Sequence, residues 1–233
     1  MDKQTEIVAK KHYYLGRLYH FGMPWLMNDG EISFKHFKKS ARLGYREGML
    51  QLGLCYCYGY GCDSDLSRAI QLFLLGDTQD CRYYLGRCYL LGWGVERSYE
   101  KAAAIFDRLV EGGYPYAAMM LGMMHRDGKG FPKSDEMMAK YYLLAAELGC
   151  DEGCYRIARC YENGIGVERN PEEAKRWYAR WSELYRDPED MIFYDERDPE
   201  EYEEAMRFFK EQAEAGDEDC AFIIKESKKT RPR

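Results

Sequence analysis

Across its 233 residues the chain carries 34 Lys and Arg against 40 Asp and Glu, a formal net charge of -6, with 46% hydrophobic and 15% aromatic residues. That acid surplus argues against nucleic acid as an obligatory partner, because phosphate binding needs a basic face. The apolar share is enough for a continuous core, and the opening stretch MDKQTEIVAKKHYYLGRLY holds no unbroken apolar run that would predict a signal peptide or a membrane span.

One phrase recurs along the chain. Leu15-Gly16, Leu52-Gly53, Leu85-Gly86 and Leu121-Gly122 are followed by a loosened Ile157-Ala158, at steps of 37, 33, 36 and 36 residues. A glycine closes each phrase, at Gly22, Gly59, Gly92, Gly128 and Gly164, with a second glycine two residues later at Gly61, Gly94, Gly130 and Gly166. A small residue recurs in the segment that follows, at Ala69, Ala102, Ala139, Ala174 and Ala205. Three markers on one period of this size predict a solenoid of stacked units.

The first unit, residues 5–44, sets Leu15, Leu18 and Tyr19 on one helical stripe. Its connecting loop, within FGMPWLMNDGEISFKHF, is longer, lacks the second glycine, and leads to Phe34 where later units have alanine. The second unit, 45–79, repeats the stripe with Leu52, Cys55 and Tyr56 but is about three residues short near Gly76-Asp77-Thr78, which should alter the pitch locally. In the third, 80–113, Leu85, Cys88 and Tyr89 precede the turn Gly94-Val95, and Ser98-Tyr99-Glu100 opens a second helix. The fourth, 114–149, turns at Gly130-Phe131 and carries His125 where the others have a helix-end tyrosine. The fifth, 150–187, replaces the helical glycine with Ala158 and restarts at Asn170-Pro171-Glu172, an N-cap followed by a first-turn proline.

A degenerate sixth unit with a cap is expected over 188–225, and 226–233 is a basic, solubilising tail. Its Met191-Ile192-Phe193-Tyr194 reads either as a sixth first helix in the core or as an aromatic anchor in an acidic loop. The final DEDCAFII should cover the exposed core of that unit. In the second helices Phe73, Phe106, Tyr142, Tyr178 and Phe209 follow the small residue at helical distance, a bulky side chain opposite a small one, as interdigitated packing requires.

The Leu-Gly pair, the aromatic four residues after the leucine, the Gly-x-Gly-Val turn and the alanine of the second helix together resemble the Sel-one-like repeat (SLR) family, relatives of tetratricopeptide repeats with a longer internal loop. The resemblance covers nearly the whole chain. It implies an all-α fold, an α/α solenoid superhelix of antiparallel helix hairpins whose first helices line the concave side, and work as a scaffold or adaptor. Some secreted members staple neighbouring units by disulfides. Here Cys154 matches one end of such a staple, but the partner position is Ala146, which agrees with a cytoplasmic, reducing location.

Chemistry-bearing residues are accounted for by the repeat frame. Cys55, Cys88 and Cys160 share one position, held by Leu18 and Met124 in units one and four, so they read as small buried hydrophobes and not as metal ligands. Of the four histidines, His12, His20, His36 and His125, the last is expected to be packed. There is no GxSxG, HExxH or phosphate-cradling loop, since the GxG turns recur at every helix end. Acidic pairs such as Asp195-Glu196 and Glu200-Glu201 read as a solvated helix start. No catalytic residue, cofactor or metal site is expected.

The residues two before and two after the core leucine point away from that stripe: Tyr13/Arg17, Leu50/Leu54, Tyr83/Arg87, Met119/Met123 and Tyr155/Arg159. Tyrosine and arginine are enriched at binding hot spots, and exposed Leu and Met pairs are unusual unless something covers them. Either this column floors a groove for a peptide or partner helix, or curvature buries it with arginine stacked on tyrosine. The reading is a protein-interaction scaffold with a protein or peptide partner and neither nucleic acid nor membrane. Alternatives are an enzyme or small-ligand binder acting on cell-wall compounds through the groove, and an effector delivered into another cell. The oligomeric state stays open.

Overall fold

The structure, a computed structural model, describes residues 1–22, 26–185 and 199–228. Every regular element among them is a helix: α1 (Lys3–Phe21), α2 (Gly30–Arg42), α3 (Arg46–Tyr58), α4 (Leu66–Gly76), α5 (Gln79–Leu91), α6 (Tyr99–Glu111), α7 (Pro115–Asp127), α8 (Asp135–Glu147), α9 (Asp151–Asn163), α10 (Pro171–Leu184), α11 (Pro199–Glu214) and α12 (Glu218–Ser227). The fold is all-α, a series of antiparallel helix hairpins. Met191-Ile192-Phe193-Tyr194, Pro188, Asp195-Glu196 and the end of the basic tail lie outside the described residues.

The second helices start where a side chain is available to cap them. Asp29, Ser98, Ser134 and Asn170 precede α2, α6, α8 and α10, and each accepts a backbone N–H three residues on at 2.9–3.2 Å. Such a cap contributes about 1 kcal/mol. The same four residues, and Asp65 before α4, donate their own N–H to a carbonyl near the end of the preceding helix, on Tyr19, Tyr89, His125, Tyr161 and Tyr56. The longer first loop is therefore closed in the same way as the others.

The glycines have two distinct duties. Gly59, Gly92, Gly128 and Gly164 end α3, α5, α7 and α9 in the left-handed conformation, which glycine adopts without steric cost. The second glycine of the turn is needed for proximity as well as for its positive φ. A Cβ on Gly61 would strike the carbonyl of Gly30, and one on Gly166 the carbonyl of Asp135, so each turn lies directly on the start of the previous unit's second helix. Inside the first helices, a Cβ on Gly16, Gly53, Gly86 or Gly122 would stand 2.5–2.6 Å from a ring carbon of Phe37, Phe73, Phe106 or Tyr142. All four rings are buried.

Two positions differ from the sequence reading. In the first unit the small residue is Ser33, four before Phe37, fully buried with its hydroxyl donating to the carbonyl of Gly16 at 2.9 Å. Phe34 sits beside it, half-buried against Tyr56. In the fourth unit Met138, and not Ala139, lies four before Tyr142, and both are buried. A one-residue offset is invisible to a periodicity that itself varies by several residues.

Packing divides the chain into two compact units. One holds residues 77–186, so α5 to α10, where each helix packs on its neighbour in sequence. The other joins residues 1–76 with 187–233. In it α1 to α4 form two hairpins, and α11 with α12 forms a third that packs against α1. The Tyr14 ring lies 5.4 Å from Phe208 and 6.1 Å from Phe209, and Lys10 pairs with Glu204 at 2.8 Å. Lys11 bonds Asp217 at 2.8 Å and Asp219 at 2.9 Å. The DEDCAFII stretch packs against α11, and the sequence held no sign that the same hairpin would engage the first helix.

Candidate interaction surface

In residues 77–186 the outward positions of α5, α7 and α9 are half-buried apart from Arg159, which is exposed. Tyr83 lies in a cluster of tyrosine rings, 5.4 Å from Tyr84, 5.5 Å from Tyr114 and 6.3 Å from Tyr116. Over this cluster the Arg87 guanidinium is 5.9 Å from the Tyr83 ring, 5.4 Å from Tyr84 and 5.8 Å from Trp93. Such cation–π contacts hold a long flexible side chain in place at about 0.5–1 kcal/mol each. Met119 and Met123 pack on the edges of the neighbouring cores. Tyr155 stands 5.3 Å from Trp181 with Arg159 6.0 Å above its ring.

Arg159 also lines a cleft of 230 Å³ that it shares with Arg126 and Arg156, over an apolar wall that includes Met138, Tyr142 and Ile165. Arg126 bonds Asp127 at 2.8 Å, and Arg156 bonds Glu152 at 2.7 Å. The Arg126 bond, with help from Lys129, holds the Asp127 carboxyl down to about 2. Burial pushes the Tyr83 hydroxyl up to about 12 although Arg87 pulls the other way. The Tyr83 hydroxyl therefore stays protonated across the physiological range.

In the other unit Leu50 and Leu54 are half-buried, and Arg17 lies 4.7 Å above Phe21. Tyr13 departs from the expectation of a partner-facing ring. It is 9% exposed, enclosed by Tyr14, Phe37 and Tyr45 at 5.4, 6.4 and 5.4 Å. The stretch preceding α3 places Tyr45 against it, as Tyr114 before α7 stands against Tyr83.

Groups that suggest chemistry are packed. Cys55, Cys88 and Cys160 are buried in line with Leu18 and Met124. Burial pushes the Cys55 thiol up to about 12 and Cys160 to about 11, far from a reactive thiolate. His125 is sandwiched between Phe131 at 4.3 Å and Tyr141 at 5.5 Å. His12 and His36 meet through their Nδ1 atoms at 3.0 Å, and burial lowers both, His36 to about 4. Among the described residues no three His, Cys, Asp or Glu side chains converge to hold a metal, and no helix is long and apolar enough to cross a membrane.

Sequence reasoning missed Tyr84, Trp93, Tyr114 and Tyr116 around Arg87, and Arg126 with Arg156 around Arg159. A signal was present for one of them: Tyr114 and Tyr45 both stand immediately before a first helix, at the same place in two units.

A sequence profile of the Sel1 repeat matches residues 12–45, 46–76, 79–114, 115–150 and 151–185. The chain is 30% identical over 166 residues to DAP3-binding cell death enhancer 1 of Rattus norvegicus, which covers 69% of this chain and 32% of that protein. It thus spans about a third of the curated relative. Among solved structures it resembles a Sel1 repeat protein from Oxalobacter formigenes, with a TM-score of 0.64 at 23% identity over 78% of this chain and 74% of that one. It also resembles c5321, described as a protective antigen of uropathogenic Escherichia coli with an SLR fold, with a TM-score of 0.62 at 23% identity over 93% and 48%.

Proposed function

Because the chain belongs to the Sel1 repeat family, whose members generally act as protein–protein interaction scaffolds, we propose that it is a non-catalytic adaptor that holds a peptide or partner helix against the outward column of its first helices. The segment that does this is Tyr83/Arg87, Met119/Met123 and Tyr155/Arg159, all within residues 77–186. A cytoplasmic, reducing setting goes with this reading, because Ala146 stands where an inter-unit staple ending at Cys154 would need a second cysteine.

The observation that carries it is Arg159 in a cleft that it lines with Arg126, Arg156 and the single carboxylate Asp135, over an apolar wall. Arginine and aromatic side chains held in advance lose little freedom when a partner arrives, so their contacts count almost fully toward affinity. The DAP3-binding relative carries a protein partner in its name, which agrees with this class of function.

Reversing the charge of Arg87 and Arg159 together, as Arg87→Glu with Arg159→Glu, should abolish partner capture from the native host; the variant gives up the Arg87 ring contacts and so some stability, and far-UV circular dichroism at the capture temperature confirms that it is folded. Unchanged capture by the folded double variant would remove the proposal.

A further inference from the structure

A second surface lies on the second helices, away from the column. Between α2, α3 and α4 is a cleft of 460 Å³ with Leu52, Leu75 and Tyr56 in its apolar wall and Lys38, Arg42 and Arg68 around it. No carboxylate lines this cleft, in a chain whose net charge is -6. The basic character belongs to α2, which carries Lys35, Lys38, Lys39 and Arg42 against the single acid Glu31.

Two of the cations rest on aromatic rings. The Lys38 ammonium lies 5.5 Å from the Phe34 centroid, and the Arg68 guanidinium lies 5.6 Å from that of Tyr56 and pairs with Asp65 at 3.2 Å, so both cations are held at the rim of the cleft. Beside them the end of α4 leaves Leu74 59% and Leu75 67% exposed. The equivalent positions of α6 carry the exposed charged pair Asp107 and Arg108, so leucine is not a requirement of the repeat at this place. Adjacent leucines standing in water beside an acid-free basic cleft are the composition of a surface that is covered when it works.

We infer that the α2–α4 cleft docks an acidic amphipathic helix of a partner protein, with leucine-type anchors entering between Leu52 and Leu75 and glutamate or aspartate meeting Lys38, Arg42 and Arg68. The recess favours a helix over a lipid surface, because a bilayer takes up protruding apolar side chains and cannot enter a cleft between helices. This surface is independent of the first-helix column.

The test uses the full chain and a fluorescein-labelled helical peptide with leucines four apart flanked by glutamates. Fluorescence anisotropy should show saturable binding that weakens at least about tenfold in Lys38→Glu with Arg42→Glu, and similarly in Leu75→Asp, while Arg87→Glu with Arg159→Glu leaves it unchanged. Far-UV circular dichroism melts of each variant exclude loss of folding as the cause. No saturable binding, equal binding by the folded Lys38/Arg42 variant, or equal binding of a peptide of the same composition with its leucines dispersed would overturn the proposal. So would co-sedimentation with phosphatidylserine vesicles in place of peptide binding, which would assign the cleft to a membrane surface.

Discussion

Replacing Gly86 by alanine separates two opposing effects that the structure puts into numbers. In an ordinary helix the change stabilises by about 1 kcal/mol, because glycine is the poorer helix former. Here the added Cβ would lie 2.6 Å from Cε1, 3.0 Å from Cζ and 3.2 Å from Cδ1 of Phe106, a ring with no exposed surface and therefore no direction in which to yield. Overpacking of that severity falls at the upper end of its usual range, about 3 kcal/mol. The balance is a loss of about 2 kcal/mol, or a melting temperature lower by about 4–8 °C in a chain of this size. Thermal and urea melts of Gly86→Ala should show that loss, and Phe106→Leu in the same chain should recover part of it, since the two changes share one contact. Gly86→Ala that stabilises the protein, or a double variant whose losses simply add, would refute the idea that these glycines exist to admit the aromatic ring. The fifth unit supplies an internal control. There the glycine is already Ala158, fully buried, and Tyr178 is only half-buried with its hydroxyl on Glu162 at 3.0 Å, so Ala158→Gly should cost about 2 kcal/mol, from helix propensity and the loss of a buried methyl group.

Further outcomes follow from the burial of titrating groups and from the hairpin on α1. Burial, reinforced by His12, Lys39 and Lys11 and opposed by Asp219, lowers His36 to about 4, below the unfolded value of 6.5. A depressed histidine contributes stability that is complete above about pH 6.5 and is lost as pH falls toward 4; His36→Phe should flatten the urea-midpoint profile in that window, and an unchanged slope would contradict the assignment. Burial raises the Asp217 carboxyl, but the bonds from Lys11 and Cys220 outweigh it and the net shift is downward. Its contribution is therefore present above the usual aspartate value and lost below it, so Asp217→Asn should lower the melting temperature at neutral pH and leave it nearly unchanged in strong acid. A thiol reagent such as dithionitrobenzoate at pH 8 should modify Cys57 and Cys62, the two partly exposed cysteines, well before the other seven, which should react only on unfolding. Fast reaction of Cys55 or Cys160 in the folded chain would show that the buried column is open.

The repeat itself was legible because its markers are backbone requirements. Left-handed glycines at helix ends, glycines under aromatic rings and capping side chains before second helices each leave one residue type at one spacing, and the Leu18–Cys55–Cys88–Met124–Cys160 column could be read as buried for the same reason. Exposure was harder to read. Tyr13 and Tyr83 look alike in sequence and have equivalent ring neighbours, Tyr14, Phe37 and Tyr45 around the first and Tyr84, Phe106 and Tyr114 around the second, yet Tyr13 is buried while Tyr83 is half-buried beside the exposed Tyr116. The difference depends on neighbours in the next unit. The hairpin of α11 and α12 on α1 was invisible for a different reason: Lys11 and Asp217 are 206 residues apart, and nothing local marks them as a pair. Nor does a periodic pattern reveal that arginines from two helices, Arg126 on α7 and Arg156 with Arg159 on α9, meet in one cleft.

The proposed binding role is tested most directly by photo-crosslinking in the native host. A photoreactive benzoylphenylalanine placed at Met123, between Arg87 and Arg159 in chain order, should give one discrete adduct with a partner protein. The same group at Ala104, exposed on α6 and outside both proposed surfaces, should give none. Identical adducts from the two positions, or no adduct from Met123 in the folded protein, would contradict the account.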